Sequence, residues 1–170
     1  MPSLSLPMPP MPPSGPRTAP ENSEASGVTI VTSQFEGQRL GMTVSAFSSV
    51  SLSPPLVLVC ADKASNTHSL IQKSRAFTVN VLSTDQSALS NLFADKKREA
   101  IRFDGLDCAT GATGCPRLPG ALSALDCHVR DEIDAGDHVV YIALVEAAEF
   151  ESERAPLVYY RGAYKSLGSL

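Results

Sequence analysis

Three short stretches of this chain combine residue types that can bind or react. Within residues 43–53, six side chains (Thr43, Ser45, Ser48, Ser49, Ser51 and Ser53) carry hydroxyls and none is charged. A hydroxyl both donates and accepts, so this stretch suits a flat ligand with several carbonyls. It reads equally well as a serine-rich edge strand and turn. Ser65-Asn66-Thr67 stands where a short helix should begin. The N–H groups and dipole of a helix start favour a phosphate. Plain N-capping uses the same residues. Gly136-Asp137-His138 opens an apolar strand. Asp137 can orient His138 and leave its second ring nitrogen for a ligand. A turn with a capping Asp is the simpler alternative. Lys96-Lys97-Arg98 is the one basic cluster. It is wide enough for one phosphate group, although a solvated loop has the same composition.

Familiar catalytic signatures are absent from the sequence. It has no Gly-x-Ser-x-Gly elbow, Walker loop, His-Glu-x-x-His helix or Gly-x-Gly-x-x-Gly turn. The three histidines, His68, His128 and His138, show no metal-ligand spacing. The four cysteines are Cys60, Cys108, Cys115 and Cys127, with no Cys-x-x-Cys pair. Cys60 and Cys127 read as small core residues. A Cys108–Cys115 bridge is the alternative but has no support in the sequence, and free thiols in a reducing compartment are the expectation.

These residues must be positioned by strands and short helices. Val28-Thr-Ile-Val-Thr32 is β-branched and predicts a strand, Glu36-Gly37 a hairpin turn, and residues 40–47 the returning strand. Leu56-Val-Leu-Val-Cys-Ala61 is apolar at every position, so both faces should be buried. Residues 65–72 predict a helix capped by Ser65. Phe77, Val79 and Val81 should point inward from the next strand. Ser83-Thr-Asp-Gln86 matches a capping box, and Leu89, Leu92 and Phe93 form one helical face. Residues 95–119 read as a long loop. Residues 122–133 alternate, with Leu125, Cys127 and Val129 on one face and Asp126, His128 and Arg130 on the other. Residues 139–145 are again wholly apolar. Residues 157–160 and 163–165 supply the last strand. The pattern predicts a mainly β fold with short helices, a closed antiparallel barrel with helical insertions. Two wholly apolar strands exceed the needs of one small barrel, which suggests a homodimer.

The chain has 170 residues, a length suited to one domain. It is 43% hydrophobic and 19% charged, as expected of a folded protein. Its net charge of -4 argues against a general nucleic-acid binder. Eight of the 13 prolines fall in the first 20 residues. Residues 1–26 are therefore read as a disordered, proline-rich tail, and residues 27–170 as the domain. The tail lacks the basic start and apolar run of a signal peptide. Residues 40–61 carry no charge, but six hydroxyls and Pro54-Pro55 argue against a membrane span. A cytoplasmic protein without nucleic-acid or membrane partners is expected.

Taken in order, these pieces resemble the flavin reductase family with the FMN-binding split barrel. Gly27-Val-Thr-Ile-Val-Thr32 is similar to the family's first strand. Residues 41–60, Gly-Met-Thr-Val-Ser-Ala-Phe-Ser-Ser-Val-Ser-Leu-Ser-Pro-Pro-Leu-Val-Leu-Val-Cys, resemble its flavin-binding segment almost position for position. Ser65-Asn-Thr67, Phe77-Thr-Val-Asn-Val-Leu82, Gln86, Phe93-Ala94, Gly136-Asp-His138 and Tyr160-Arg-Gly-Ala-Tyr164 follow. Family members usually carry an amphipathic helix just before the first strand. Pro20-Glu-Asn-Ser-Glu-Ala-Ser26 has no apolar face for one.

The resemblance implies a Greek-key, antiparallel split barrel, a homodimer, and hydride transfer from NADH or NADPH to FMN or FAD. Reduced flavin would then diffuse to a flavin-dependent monooxygenase. It implies that Met42, Thr43, Val44, Ser45 and Ala46 lie along the flavin ring. Cys60, Ala61, Asp62 and Lys63 would flank the ribityl chain, and Ser65, Asn66 and Thr67 would hold the phosphate. Phe93 and the loop of Lys96, Lys97 and Arg98 would close over the phosphate or an adenosine. His138 would approach the nicotinamide, with Tyr160, Arg161 and Tyr164 near the site. The alternative is a flavin-binding electron carrier, or a degenerate flavin-binding module, without efficient nicotinamide turnover.

Overall fold

A computed structural model describes residues 25–151 and 153–167. The strands are β1 (Ser26–Gly27), β2 (Thr29–Phe35), β3 (Gln38–Val44), β4 (Phe47–Leu52), β5 (Pro55–Asp62), β6 (Ala76–Val81), β7 (Ala109–Thr110), β8 (Pro116–Arg117), β9 (Ser123–Ala135), β10 (His138–Phe150), β11 (Leu157–Tyr160) and β12 (Ala163–Ser166). Two α-helices, α1 (Asn66–Ser74) and α2 (Ser87–Ala94), interrupt them. The fold is mainly β with short helices. The proline-rich tail and most of the segment before the first strand lie outside the described residues.

Seven strands form one sheet in the order β3-β2-β6-β9-β10-β5-β4. Every neighbouring pair in it is antiparallel. The two edges, β3 and β4, are consecutive in the chain and separated only by Ser45 and Ala46. Three Cα–Cα steps span at most about 11 Å, so the sheet must curl until its edges nearly meet. A bond from the Cys60 amide to the Ala46 carbonyl (3.0 Å) anchors that corner.

The hairpin between β2 and β3 turns at Glu36 and Gly37, with φ of 48° and 81°. Two consecutive positive φ values suit the right-handed strand twist, and glycine takes the second without strain. Ser65 caps α1 by accepting the Thr67 amide at 3.1 Å. The capping box at Ser83 is formed, with the Ser83 amide donating to Gln86 Oε1 at 3.1 Å. Alternation places Val31, Phe77, Val79 and Cys127 in the curl's interior with Tyr141. Ile30, Leu82 and Phe93 face a second core under the β11–β12 hairpin.

Several expectations need correction. Residues 40–47 are not one strand. β3 stops at Val44, and the serine-rich stretch beyond it is the edge strand β4. Leu58 and Cys60 are only half-buried, so one face of β5 is incompletely covered. Val81 is half-buried, whereas Thr78 and Asn80 on the opposite face are fully enclosed. The segment 95–119 holds a 3-10 turn (Lys96–Ile101) and the β7–β8 ribbon. That ribbon buries Asp126, which accepts from Thr78 Oγ1 (2.8 Å), the Ala112 amide (2.6 Å) and Arg117. The last strand is a hairpin, β11 with β12, that pairs with β1 in a separate three-stranded sheet. All four cysteines are free, so Cys108 and Cys115 are not bridged. No helix among the described residues is long and apolar enough to cross a membrane.

Candidate functional site

The site starts from the end of β5. Asp62 closes a tight turn into α1, accepting the Ser65 amide on its carbonyl (3.0 Å) and the Ala64 amide on Oδ1 (2.8 Å). Lys96 Nζ meets Oδ2 at 3.1 Å. The Ala64 amide and then Lys96 hold the Asp62 carboxyl below its usual range. The turn presents the N-terminus of α1 to a cleft of about 180 Å³. Ser65, Asn66, Met42, Phe93, Lys96 and Arg102 are among the residues that line it. Ser65 Oγ also donates to Met42 Sδ at 3.2 Å, which ties the helix start to β3.

A second cleft of about 380 Å³ adjoins the first. Thr43 and Ala94 line both, so the two form one groove over the end of β3. Its walls include Ser45, Ser90, Asn91 and Tyr164, all uncharged. Thr43 Oγ1 donates to the Ser90 carbonyl (2.7 Å), and Tyr164 donates to Ser90 Oγ (2.8 Å) and Asn91 Oδ1 (3.0 Å). The β11–β12 hairpin, helix α2 and strand β3 are thereby pinned around one opening. The groove thus has a neutral, hydroxyl-rich end and an end where cations and a helix start meet.

Of the residues expected here, Met42, Thr43, Ser45, Asp62, Ser65, Asn66, Phe93 and Tyr164 line the groove. Ala46 is exposed at the adjoining corner. Val44 and Ala61 turn inward and belong to the core. Cys60 is half-buried, and burial pushes its thiol pKa up. Thr67 is fully buried behind Ser65, and its Oγ1 has no partner among the described residues. Lys63 leaves the groove. Its ammonium donates to Asp134 and the Gly136 carbonyl, both at 2.6 Å. Lys97 and Arg98 are exposed and absent from the lining, where Lys96 stands instead. His138 is also outside the lining. It pairs with Asp62 across the β5–β10 ladder and is oriented by Asp137 Oδ1 at 2.9 Å. Tyr160 and Arg161 stack on one another at 5.2 Å beside the hairpin turn.

Four groove residues escaped the sequence reading. Arg102 is 3% exposed and donates to the Gly41 carbonyl (2.6 Å) and the Asp95 carbonyl (2.9 Å). Its guanidinium lies over Phe93 at 6.0 Å. Glu99 accepts from Asn66 Nδ2 at 2.7 Å. Ser90 and Asn91 receive Tyr164. Ser90 alone left a trace, as a small polar residue three positions before Phe93 on the helix face that packs inward.

The model of the flavin reductase like domain matches residues 22–168. The reductase component of a 4-nitrophenol 4-monooxygenase/4-nitrocatechol 2-monooxygenase from Rhodococcus opacus is 41% identical over 140 residues, covering 82% of this chain and 74% of that protein. An NADH-dependent FMN reductase from Yersinia enterocolitica is 34% identical, covering 84% and 78%. Among solved structures, the NADH:FAD oxidoreductase of Streptomyces globisporus C-1027 superposes with a TM-score of 0.84 at 30% identity, covering 95% of this chain and all of that one. The flavin reductase component of a bacterial two-component tryptophan halogenase gives a TM-score of 0.81 at 36% identity, covering 88% and 95%. With a family match along all of the described residues and relatives this similar in sequence and fold, the chain belongs to the flavin reductase like domain family.

Proposed function

We propose that this protein is an NAD(P)H-dependent flavin reductase that supplies reduced FMN or FAD to a partner monooxygenase. One observation carries the reading: a single groove joins a neutral hydroxyl end to a helix start flanked by Lys96 and Arg102. A flavin nucleotide has the same polarity, with a flat multi-carbonyl ring at one end and phosphate at the other. The residues fit it by donor chemistry. Thr43 and Ser45, with the backbone of Met42 to Ala46, suit the ring edge. Ser65, Asn66 and the α1 amides suit a phosphate. Lys96 adds charge there, in place of Lys97 and Arg98.

The flavin, when bound, supplies the redox chemistry by accepting a hydride from NADH or NADPH. The chain's work is to bind, orient and shield. Phe93 lines the phosphate end of the groove, held edge-on by Phe103 at 5.3 Å. Tyr164 closes the ring end from the C-terminal hairpin. His138 stands at the rim beside Asp62, its ring held by Asp137, where it would orient the nicotinamide. Hydride movement itself requires no general acid or base. A neutral ring site binds moderately, so reduced flavin can leave. Relatives named as reductase components of monooxygenases support a diffusing product with an oxygenase partner.

The sheet's two nearly meeting edges support a split barrel. Val50 and Leu52 on edge strand β4, with Leu144 and Phe150 on β10, expose apolar surface that a second copy would cover in a homodimer. Four free thiols support a cytoplasmic location. Residues 27–170 are read as the catalytic domain, with the proline-rich segment as a tail.

The test is steady-state oxidation of NADH or NADPH with free FMN or FAD, followed at the nicotinamide absorbance band. Turnover with at least one pairing is expected. No turnover with any pairing would overturn the reductase reading. Bound flavin without turnover would assign the electron-carrier alternative. His138→Ala should lower kcat/KM for the nicotinamide and leave flavin affinity intact; unchanged turnover would remove its orienting role.

A further inference from the structure

The phosphate end of the groove contains four ionisable side chains, Asp62, Lys96, Glu99 and Arg102. They form two pairs. Lys96 Nζ lies 3.1 Å from Asp62 Oδ2, and Arg102 Nη1 lies 3.6 Å from Glu99 Oε2. The formal charge of the lining is therefore zero, which is unusual for a place that must receive a phosphate.

We propose that Glu99 determines flavin specificity, its carboxylate standing between Asn66 and Arg102 and favouring FAD over FMN. The inference rests on the flavin-groove reading above. Glu99 Oε1 already takes the Asn66 amide at 2.7 Å. A carboxylate thus occupies the Asn66 donor that an incoming phosphate oxygen would use.

The two nucleotides differ at that position. The terminal phosphate of FMN carries about -1.5 to -2 charges near neutral pH, because its second ionisation falls near pH 6. Each phosphate in the FAD bridge is esterified on both sides and carries one. At the phosphate nearest it, a fixed carboxylate repels the monoester about 1.5 to 2 times as strongly, while the second FAD phosphate lies farther along the bridge and is more screened.

Arg102 and Asp62 do not relax this bias. Arg102 is fixed by its bonds to the Gly41 and Asp95 carbonyls. Its buried Nε has no partner among the described residues, so the guanidinium keeps donor capacity that Glu99 does not use. Asp62 stays ionised through the Ala64 amide and Lys96. Lys97 and Arg98 lie outside the lining. Glu99, on the Lys96–Ile101 turn, has a 27% exposed side chain, and a glutamine there keeps the oxygen that accepts from Asn66.

The experiment measures dissociation constants of riboflavin, FMN and FAD by flavin fluorescence at one ionic strength, for the wild-type chain and Glu99→Gln. The wild-type chain should bind FAD more tightly than FMN. Glu99→Gln should tighten FMN about tenfold and FAD only about three- to fivefold, with riboflavin unchanged. Glu151→Gln, an exposed acid distant in the fold, should change none of them. Equal tightening of FMN and FAD, or weaker FMN binding, would overturn the inference while leaving the flavin groove standing. Failure of all three flavins to bind the wild-type chain would overturn both.

Discussion

The Tyr164 hydroxyl lies 2.8 Å from Ser90 Oγ, across 74 residues of chain. This contact fastens the C-terminal hairpin to α2 and forms one wall of the neutral end of the groove. Tyr164 also rests edge-on against Tyr159 at 5.6 Å, so its ring is held even without the hydroxyl.

Tyr164→Phe should therefore preserve the fold and loosen the groove. Losing bonds to Ser90 and Asn91 costs about 1 kcal/mol. Flavin affinity should weaken by roughly fivefold, with a fall of only a few degrees in Tm. Titration of flavin into wild-type and variant protein checks the first effect, and thermal unfolding the second.

Gly41 lies on β3 directly under Phe93. A Cβ there would stand 2.7 Å from Phe93 Cε1 and 3.1 Å from Thr32 Cγ2. Phe93 is 1% exposed and closely packed, so Gly41→Ala must displace it. The expected cost is about 1–3 kcal/mol, with weaker flavin binding. Urea unfolding and flavin titration on the same protein read both effects.

Asp126 makes stability depend on pH. Burial alone would raise its pKa, but Arg117, the Ala112 amide and the Thr78 hydroxyl outweigh it and hold the carboxyl below its ordinary range. A lowered folded value stabilises the protein above the unfolded carboxylate pKa of about 3.9. That contribution is lost as pH falls through the folded value. Wild-type urea midpoints should fall steeply below about pH 4. Asp126→Asn should be weaker by roughly 3 kcal/mol at neutral pH, because Arg117 loses its buried partner and keeps only Glu149. It should lose less on acidification than the wild-type chain.

Cys127 should be inert in the folded protein. Burial, with Asp126 beside it, pushes its thiol up to about 12. The thiolate is the reactive form, so alkylation at neutral pH should miss Cys127 until urea unfolds the chain. Mass spectrometry of peptides alkylated before and after unfolding gives the answer. Cys60 and Cys108, both half-buried, should label first.

Much of the framework was legible in the sequence because it depends on neighbours a few residues apart. Alternation marked Phe77 and Val79 as core, Glu36-Gly37 marked the hairpin, and Ser65 and Ser83 marked caps that the structure forms. Met42, Thr43, Ser45, Ser65 and Asn66 line the groove because β3, β5 and the start of α1 converge there. Tertiary structure alone decided which polar residues join or leave them. Lys63 adjoins Asp62 in sequence, yet the β9–β10 turn draws it away. Glu99, Arg102, Ser90 and Asn91 enter because the 3-10 turn and α2 fold over β3. Asp126 shares a face with His128 and Arg130 in the sequence pattern, and only the fold shows the β7–β8 ribbon covering it. A period of two or 3.6 residues tells which face a side chain occupies. What covers that face, and with which charge, depends on segments dozens of residues away, and those partners set the chemistry of Arg102, Glu99 and Asp126.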